Sequence, residues 1–263
     1  MNKSLGLRGQ EVQAVYHLVN ECRDLGFDAR EWYQHLAEGL RSLLSLRACI
    51  VGEVGKPNQA PKLWPQLQVA SGLDAAAEAV FQRYVESKAV LQDPAWTQSW
   101  NCPASQAIFA PEQLAGKRAW LASAVYNEYY RLCHCDFQLL SYHALPGAEA
   151  RSFLSAWRSA DMRRFSRRER RLLSLVHQEI GLLLGGPLAT AQEPGLSSLA
   201  PRLRQTMEAL LEGDSEKQVA LRLRVSVNTV HDYIKGLYRH FGVSSRAELL
   251  AHFLRRLRGQ PPP

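Results

Sequence analysis

The chain has no apolar run approaching the roughly eighteen residues that a membrane-spanning helix needs. Its first segment, MNKSLGLRGQEVQ, has no apolar core of the kind a secretory leader carries. A cytoplasmic protein that does not engage a membrane is the expectation. Cysteine is sparse: Cys22, Cys49, Cys102, Cys133 and Cys135 are odd in number and scattered, which argues against a disulfide framework. Only Cys133-His134-Cys135 cluster, and adjacent and alternate ligands are poorly placed around a tetrahedral zinc. They read as reduced structural cysteines at a helix-to-strand junction, with a redox or metal sensor as the alternative. The signatures Gly-x-Ser-x-Gly, Gly-x4-Gly-Lys-Ser/Thr and His-Glu-x2-His are all missing. So is the acidic cluster at a strand end that a phosphorylated receiver needs. No catalytic residue, cofactor or metal is expected.

What is present suffices for two domains: 263 residues, 46% of them hydrophobic. The net charge is +7, and residues 196–263 hold eleven Lys/Arg against six Asp/Glu, so most of the positive excess sits in the last quarter, as a polyanion partner would require. Residues 185–198, GGPLATAQEPGLSS, break the preceding pattern with Gly, Pro, Ser and Ala and read as an exposed interdomain tether. Before it, residues 1–184 carry mixed signals. Helical periods cover 9–24, 30–46, 75–88 and 111–134, the last in two pieces around Gly116. Strands are expected at 47–54 and 67–71, and a hairpin at 137–143 and 152–158 around Pro146-Gly147. Ser166 and Glu169 have the spacing of a capping box for a long helix to about Leu184. The expected fold class is α+β: an α/β sandwich with a small antiparallel sheet, followed by an all-α domain at 199–258.

The most informative stretch is 215–243, SEKQVALRLRVSVNTVHDYIKGLYRHFGV. Ser215 and Gln218 form a capping box, and Val219, Ala220 and Leu223 share one face. Arg224-Val225-Ser226 is a short break, and Ser226 can cap the next helix. In that helix Val227, Val230, Ile234, Leu237 and Phe241 make an apolar stripe, opposed by Asn228, His231, Asp232, Lys235 and Arg239. One buried face and one face of donors and acceptors is what reading base edges in the major groove requires.

Residues 199–250 resemble the LuxR-type helix-turn-helix domain of bacterial transcription regulators. The resemblance is carried by Leu199, Pro201, Leu210, Glu212-Gly213, Val219-Ala220, Leu223, Val225-Ser226 and Asn228-Thr229-Val230. It continues through Ile234, Phe241-Gly242-Val243 and Ser245-Arg246-Ala247-Glu248. It implies four helices near 200–212, 215–223, 227–241 and 245–257. Gly213 and Gly242 end the first and third, and Ser245 with Glu248 caps the last. Two departures stand out. Ala200-Pro201-Arg202-Leu203 replaces the usual Thr-Pro-Arg-Glu box, which costs about 1 kcal/mol, and Tyr233 stands at a frequent histidine position. The docking mode implies base contacts from His231, Asp232 and Lys235. It implies phosphate contacts from Ser226, Asn228, Thr229, Tyr233 and Arg239. It also implies a homodimer on double-stranded DNA through Leu249 and Phe253 of the last helix, whose inward stripe would be Ala247, Leu250, Ala251, Leu254 and Leu257. RNA polymerase would be a further partner of an activator.

Residues 120–182 resemble GAF-like sensor domains through Tyr126-Asn127-Glu128, the hairpin, Arg164-Phe165-Ser166, Glu169 and Leu172-Leu173. That implies a sensor for a small ligand or a protein signal. Acyl-homoserine-lactone receptors offer a second comparison. Their Trp-x3-Tyr-x8-Asp-Pro pattern is met by Tyr84 and Asp93-Pro94, but Val80 occupies the tryptophan position. Tyr84, Asp93, Trp96 and Trp100 are the candidate pocket residues, since aromatic walls with few polar groups suit small molecules. Large core tryptophans and a turn-forming Asp-Pro are the alternative. The arginines between Arg163 and Arg171 are either a solvated first turn or a second anionic-partner patch. The whole chain reads as a one-component transcription regulator. An acyl-homoserine-lactone receptor and a GAF-like enzyme with a DNA-binding tail remain open beside it.

Overall fold

The computed structural model describes residues 6–55, 67–101, 106–145, 150–191 and 199–257, without the side chains of residues 90 and 255–257. The chain divides into two compact units, Met1–Asp24 with Trp32–Leu184, and Leu25–Glu31 with Gly185–Pro263. No helix among the described residues is long and apolar enough to cross a membrane.

The first unit is a mixed helix-and-sheet fold, in agreement with the α+β expectation. It opens with α1 (Gly9–Asp24) and α2 (Ala29–Leu43) and continues into β1 (Ala48–Gly55) and β2 (Leu67–Ser71). Next come α3 (Ala75–Glu86), a 3-10 turn at Ala89–Gln92, α4 (Pro94–Ser99) and the short strand β3 (Gln106–Phe109). Two one-turn helices, α5 (Pro111–Leu114) and α6 (Lys117–Ala122), lead through a π-helical turn (Tyr126–Tyr130) to the hairpin β4 (Phe137–Ala144) and β5 (Ala150–Arg158), then to α7 (Arg167–Leu183). The sheet order is β2-β1-β5-β4-β3, antiparallel throughout, with Ala48 opposite Trp157 and Leu140 opposite Ser155.

Side chains alternate across these strands. Ile50, Leu140, Tyr142, Phe153 and Trp157 join one core with Phe81 and Tyr84 of α3, Trp96 of α4 and Trp120 of α6. The opposite face meets α2 and α7. There Tyr33 donates to Ser152 at 3.0 Å, while His177 contacts the hydroxyls of Ser141 (2.8 Å) and Ser152 (3.3 Å). Burial pushes the His177 ring well below the usual imidazole range, so it is held neutral.

Local chemistry sets the helix ends. Ser166 and Glu169 form the expected capping box of α7. Glu169 also binds Arg158, whose side chain is 1% exposed (2.7 Å), and Arg163 (2.8 Å). Burial pushes the Glu169 carboxyl up, but the hydrogen bonds from Arg158 and Ser166 outweigh it and hold the group at about 2. The segment 111–134 breaks into three pieces rather than two, at Gly116 (φ +79°) and again at Ser123, whose extended backbone ends α6. Strand β3 and helix α4 are additions to the sequence reading. The Pro146-Gly147 turn lies outside the described residues, and the Leu145 amide closes that loop on the Ala150 carbonyl at 3.0 Å.

The second unit holds α8 (Pro201–Leu211), α9 (Glu216–Leu223), α10 (Val227–Phe241) and α11 (Arg246–Leu257). Helix α8 has Pro201 in its first turn and no side-chain cap. Ser215 and Gln218 form the capping box of α9, and Ser226 caps α10 by accepting from the Thr229 amide. The break between them is a left-handed Arg224 (φ +55°), and Gly242 (φ +65°) ends α10 as a helix C-terminal glycine does. Val230, Ile234 and Leu237 are buried with Val219, and Leu223 packs beside them.

Four expectations are corrected here. Val227 is 42% exposed, because the first residue of α10 faces outward. Ser245 accepts from the Glu248 amide at 3.2 Å, but the Glu248 carboxylate takes the Ser244 amide (2.7 Å), so the box is half formed. The stretch read as an exposed tether starts packed: Leu188 and Ala189 are buried, with Gly185 donating to the Leu188 carbonyl at 2.9 Å. Its Gly and Pro content hid two apolar side chains, and residues 192–198 lie outside the described residues. Finally, Leu249 and Phe253 do not form an exposed dimerisation pair. They are buried in the helical core, with Phe253 stacked edgewise on Phe241 at 5.3 Å. Helix α11 turns this pair inward and leaves Leu254 52% exposed. The supposed inward stripe is turned away from the core, with Ala247 exposed and Leu250 half-buried.

Two outcomes follow from this packing. Ile234→Ala should destabilise the helical unit by about 2–5 kcal/mol, while Val227→Ala leaves it within about 0.5 kcal/mol, as read by urea unfolding of the full chain. Glu169→Ala strands the buried Arg158 guanidinium and should cost the first unit about 3–5 kcal/mol near neutral pH. The folded carboxyl lies near 2 and the free group near 4.5. Its stabilising effect is therefore complete above the unfolded value and lost as pH falls from 4.5 through 2. Wild-type and variant melting curves recorded from pH 7 downward should converge over that window.

Candidate functional site

Two regions collect the polar residues that the sequence singles out. The first is the outer face of α10. Asn228, His231, Asp232, Lys235 and Arg239 are all exposed, while Thr229 and Tyr233 on its flank are half-buried. Val230, Ile234 and Leu237 seat the opposite side in the core, so the polar stripe is carried by a rigid helix. Asp232, Lys235 and Arg239 line a shallow concavity with Tyr238. Tyr238 was missed because it packs partly against the core and reads as apolar, although it lies one turn after Lys235. Ser226 spends its hydroxyl on the Thr229 amide (3.1 Å) and its side chain. It is therefore first a helix cap, which bears on its reading as a phosphate contact. His231 is drawn toward α9 by Glu216, 3.6 Å from its Nδ1. Arg222 is held by Glu212 and Asp214 across the α8–α9 turn.

The second region is a cavity of about 60 Å³ between the sheet and α3, α4 and the π-turn. Of the four candidate pocket residues, Tyr84, Asp93 and Trp96 line it. Trp100 does not: it packs edgewise on Trp96 (5.8 Å) with the Arg151 guanidinium over its other side at 4.4 Å. Asp93 caps α4 by accepting the Ala95 and Trp96 amides (2.9 and 3.0 Å) on Oδ1. Its Oδ2 accepts the hydroxyls of Tyr130 (3.1 Å) and Tyr84 (3.4 Å). Burial pushes its carboxyl up, against the pull of these donors. The floor is made by strand residues that the sequence did not single out: Leu140, Phe153, Trp157, Gln138 and Ser155. Strands covered on both faces give no period that marks which residue faces a cavity.

The arginine run around α7 is largely tied down. Arg163 binds Glu169, Arg168 binds Glu11 (2.8 Å), Arg170 reaches Gln113 (3.0 Å) and Arg164 lies over the Phe137 ring at 4.5 Å. The four described thiols, Cys22, Cys49, Cys133 and Cys135, are free and buried, and Cys102 lies outside the described residues. Burial pushes Cys22 and Cys49 up to about 12 and Cys133 to about 11, and raises Cys135 well above the usual thiol range. Cys133 donates a hydrogen bond to the Ala77 carbonyl at 3.5 Å.

Comparison with known proteins separates the two regions. A protein of Hyphomicrobium methylovorum named "Probable transcriptional regulatory protein SgaR" is 39% identical over 79 residues, 30% of this chain. The chain thus spans about a third (34%) of that relative's length. Among solved structures, SdiA in complex with octanoyl-rac-glycerol aligns over 95% of this chain and 97% of its own, at 15% identity and a TM-score of 0.46. CepR2 of Burkholderia cenocepacia, titled an N-acylhomoserine lactone dependent LuxR family factor, aligns over 66% of this chain and 96% of its own, at 14% identity and a TM-score of 0.46. The family described as "Bacterial regulatory proteins, luxR family" matches residues 197–253, the span of α8 to α10 and most of α11. The C-terminal helical unit, with α10 as its outward polar helix, is a luxR-family domain of bacterial regulatory proteins.

Proposed function

We propose that the protein is a transcription regulator that binds double-stranded DNA through α10 and carries a small-molecule chamber in its first unit. The observation that carries the reading is the exposed stripe Asn228, His231, Asp232, Lys235 and Arg239 on a helix whose other side is locked in the core. Donors and acceptors on a rigid helix can match base edges without first being ordered. His231, Asp232 and Lys235 lie at its middle and face base edges. Asn228, Thr229, Tyr233 and Arg239 flank them and meet phosphates, with Ser226 presenting the helix start. The surplus of positive charge in the C-terminal quarter supports the same reading, since phosphate neutralisation supplies most of the affinity. The relative's name points the same way.

The regulator binds its operator as a homodimer, which sets two copies of α10 about one DNA turn apart. The surface for this is the outward face of α11, where Ala247 and Leu254 are exposed and Leu250 is half-buried. The chamber beside Asp93 is the place for a ligand: apolar and aromatic walls with a few polar groups.

Lys235→Ala should lose about 1–3 kcal/mol on the specific site and relax its sequence preference. Binding measured on a randomised DNA pool decides this, and an equal loss on all sequences would move Lys235 to the phosphate class. Leu254→Glu should leave the fold intact and abolish cooperative binding to a two-half-site operator. Sedimentation with and without DNA reads the outcome, and undiminished cooperativity places the dimer contact elsewhere.

A further inference from the structure

The chamber has two polar ends, and they differ in what they have left to offer. At the α4 end the Asp93 carboxylate is spent. Asp93 receives two donors on each carboxylate oxygen, and the Tyr84 and Tyr130 hydroxyls direct their protons to it. At the sheet end the Ser155 hydroxyl accepts from Gln138 Nε2 at 2.8 Å and from Trp157 Nε1 at 2.6 Å. A hydroxyl has two lone pairs and one proton, so both lone pairs are occupied and the proton remains to be given. Beside it Gln138, 6% exposed and lining the cavity, has a carbonyl Oε1 with no partner. A buried carbonyl left unpaired carries a desolvation cost that a ligand donor would recover.

We propose that the chamber takes a small neutral molecule presenting a hydrogen-bond donor and an acceptor side by side, as a lactam or a primary amide does. Its donor meets Gln138 Oε1 and its acceptor meets the Ser155 hydroxyl. The inference rests on the reading of the chamber as a ligand site and adds the chemistry of its occupant. Neutrality follows from the walls. The described lining residues include no lysine, arginine or histidine to meet an anion, and the one carboxylate, Asp93, is already saturated. The rest of the wall near this end, Leu140, Phe153 and Trp157, is apolar or aromatic. The size follows from the volume: 60 Å³ of space for water centres corresponds to about four to six waters, or a ring of about six heavy atoms.

The test titrates the full chain with three rings of matched size, pyrrolidinone, γ-butyrolactone and cyclopentanone, following the tryptophan indole N–H resonances. Pyrrolidinone carries donor and acceptor; the other two carry the acceptor alone. Pyrrolidinone should bind about tenfold more tightly than either, since one neutral hydrogen bond to a buried acceptor separates them. It should also move the Trp157 indole signal, because that N–H shares Ser155 with the ligand. Gln138→Met removes the carbonyl and should bring the three probes to within about twofold of one another. Should that variant lose its dispersed indole signals, and hence its fold, the wild-type series decides alone. Equal binding of all three probes to the wild type, or tighter binding of the lactone, would overturn the donor–acceptor assignment while leaving the chamber a ligand site. Unmoved indole signals with every probe up to molar concentration would overturn the chamber reading itself, and the inference with it.

Discussion

Strand β5 is covered on both faces, so each polar side chain it carries must find its partner inside the protein. From Ser152 to Arg158 every residue is buried. Water is not available to any of them, and an unmet polar group in such a place costs more than a met one returns. The solutions organise the whole unit. Ser152 ties Tyr33 of α2 and His177 of α7 to one side of the sheet. Arg158 joins the C-terminal end of α2, through the Leu44 carbonyl, to the first turn of α7, through Glu169. Ser155 faces the other way, gathering Gln138 and Trp157 at the cavity floor. One strand thus fixes the helices behind it and the polar geometry in front of it.

The helical unit solves a different problem. It must present a polar helix face rigidly while burying little in total. The two sides of α10 divide that labour: Val230, Ile234 and Leu237 sit in the core, and Asn228, His231, Asp232, Lys235 and Arg239 stand clear of it. The angle between α9 and α10 is set by a single left-handed residue, Arg224. A non-glycine residue in that conformation carries about 1–2 kcal/mol of steric cost, so the turn persists because the packing on both sides demands it.

How much of this could be read from the chain depends on the range of the interactions involved. The helix-turn-helix was legible almost to the residue because its signals are local: Ser215 with Gln218, Ser226 at its cap position, and the three-and-four spacing of Val230, Ile234 and Leu237. The hairpin and the α7 capping box were legible for the same reason. Strand β3 was not, because Gln106–Phe109 is too short to show a period. The rotation of α11 was misjudged because both of its faces carry leucines, so spacing alone does not choose between them, whereas the packing of Phe253 on Phe241 does. At the cavity, Tyr84 and Asp93 were found through a motif and Trp96 through its aromatic class. Gln138 and Ser155 were not, because a glutamine in a strand buried on both faces looks like any other interior position. What marks it is an unpaired carbonyl, and that exists only once the fold does.

The buried thiols have a consequence for how the protein can be influenced. With Cys133 near 11, the thiolate fraction at neutral pH is on the order of one in ten thousand, and lower still for Cys22 and Cys49. Peroxides and electrophiles attack the thiolate, a form that burial disfavours at the four described cysteines, Cys133 beside the cavity included. The cavity therefore meets Cys133 as a protonated thiol.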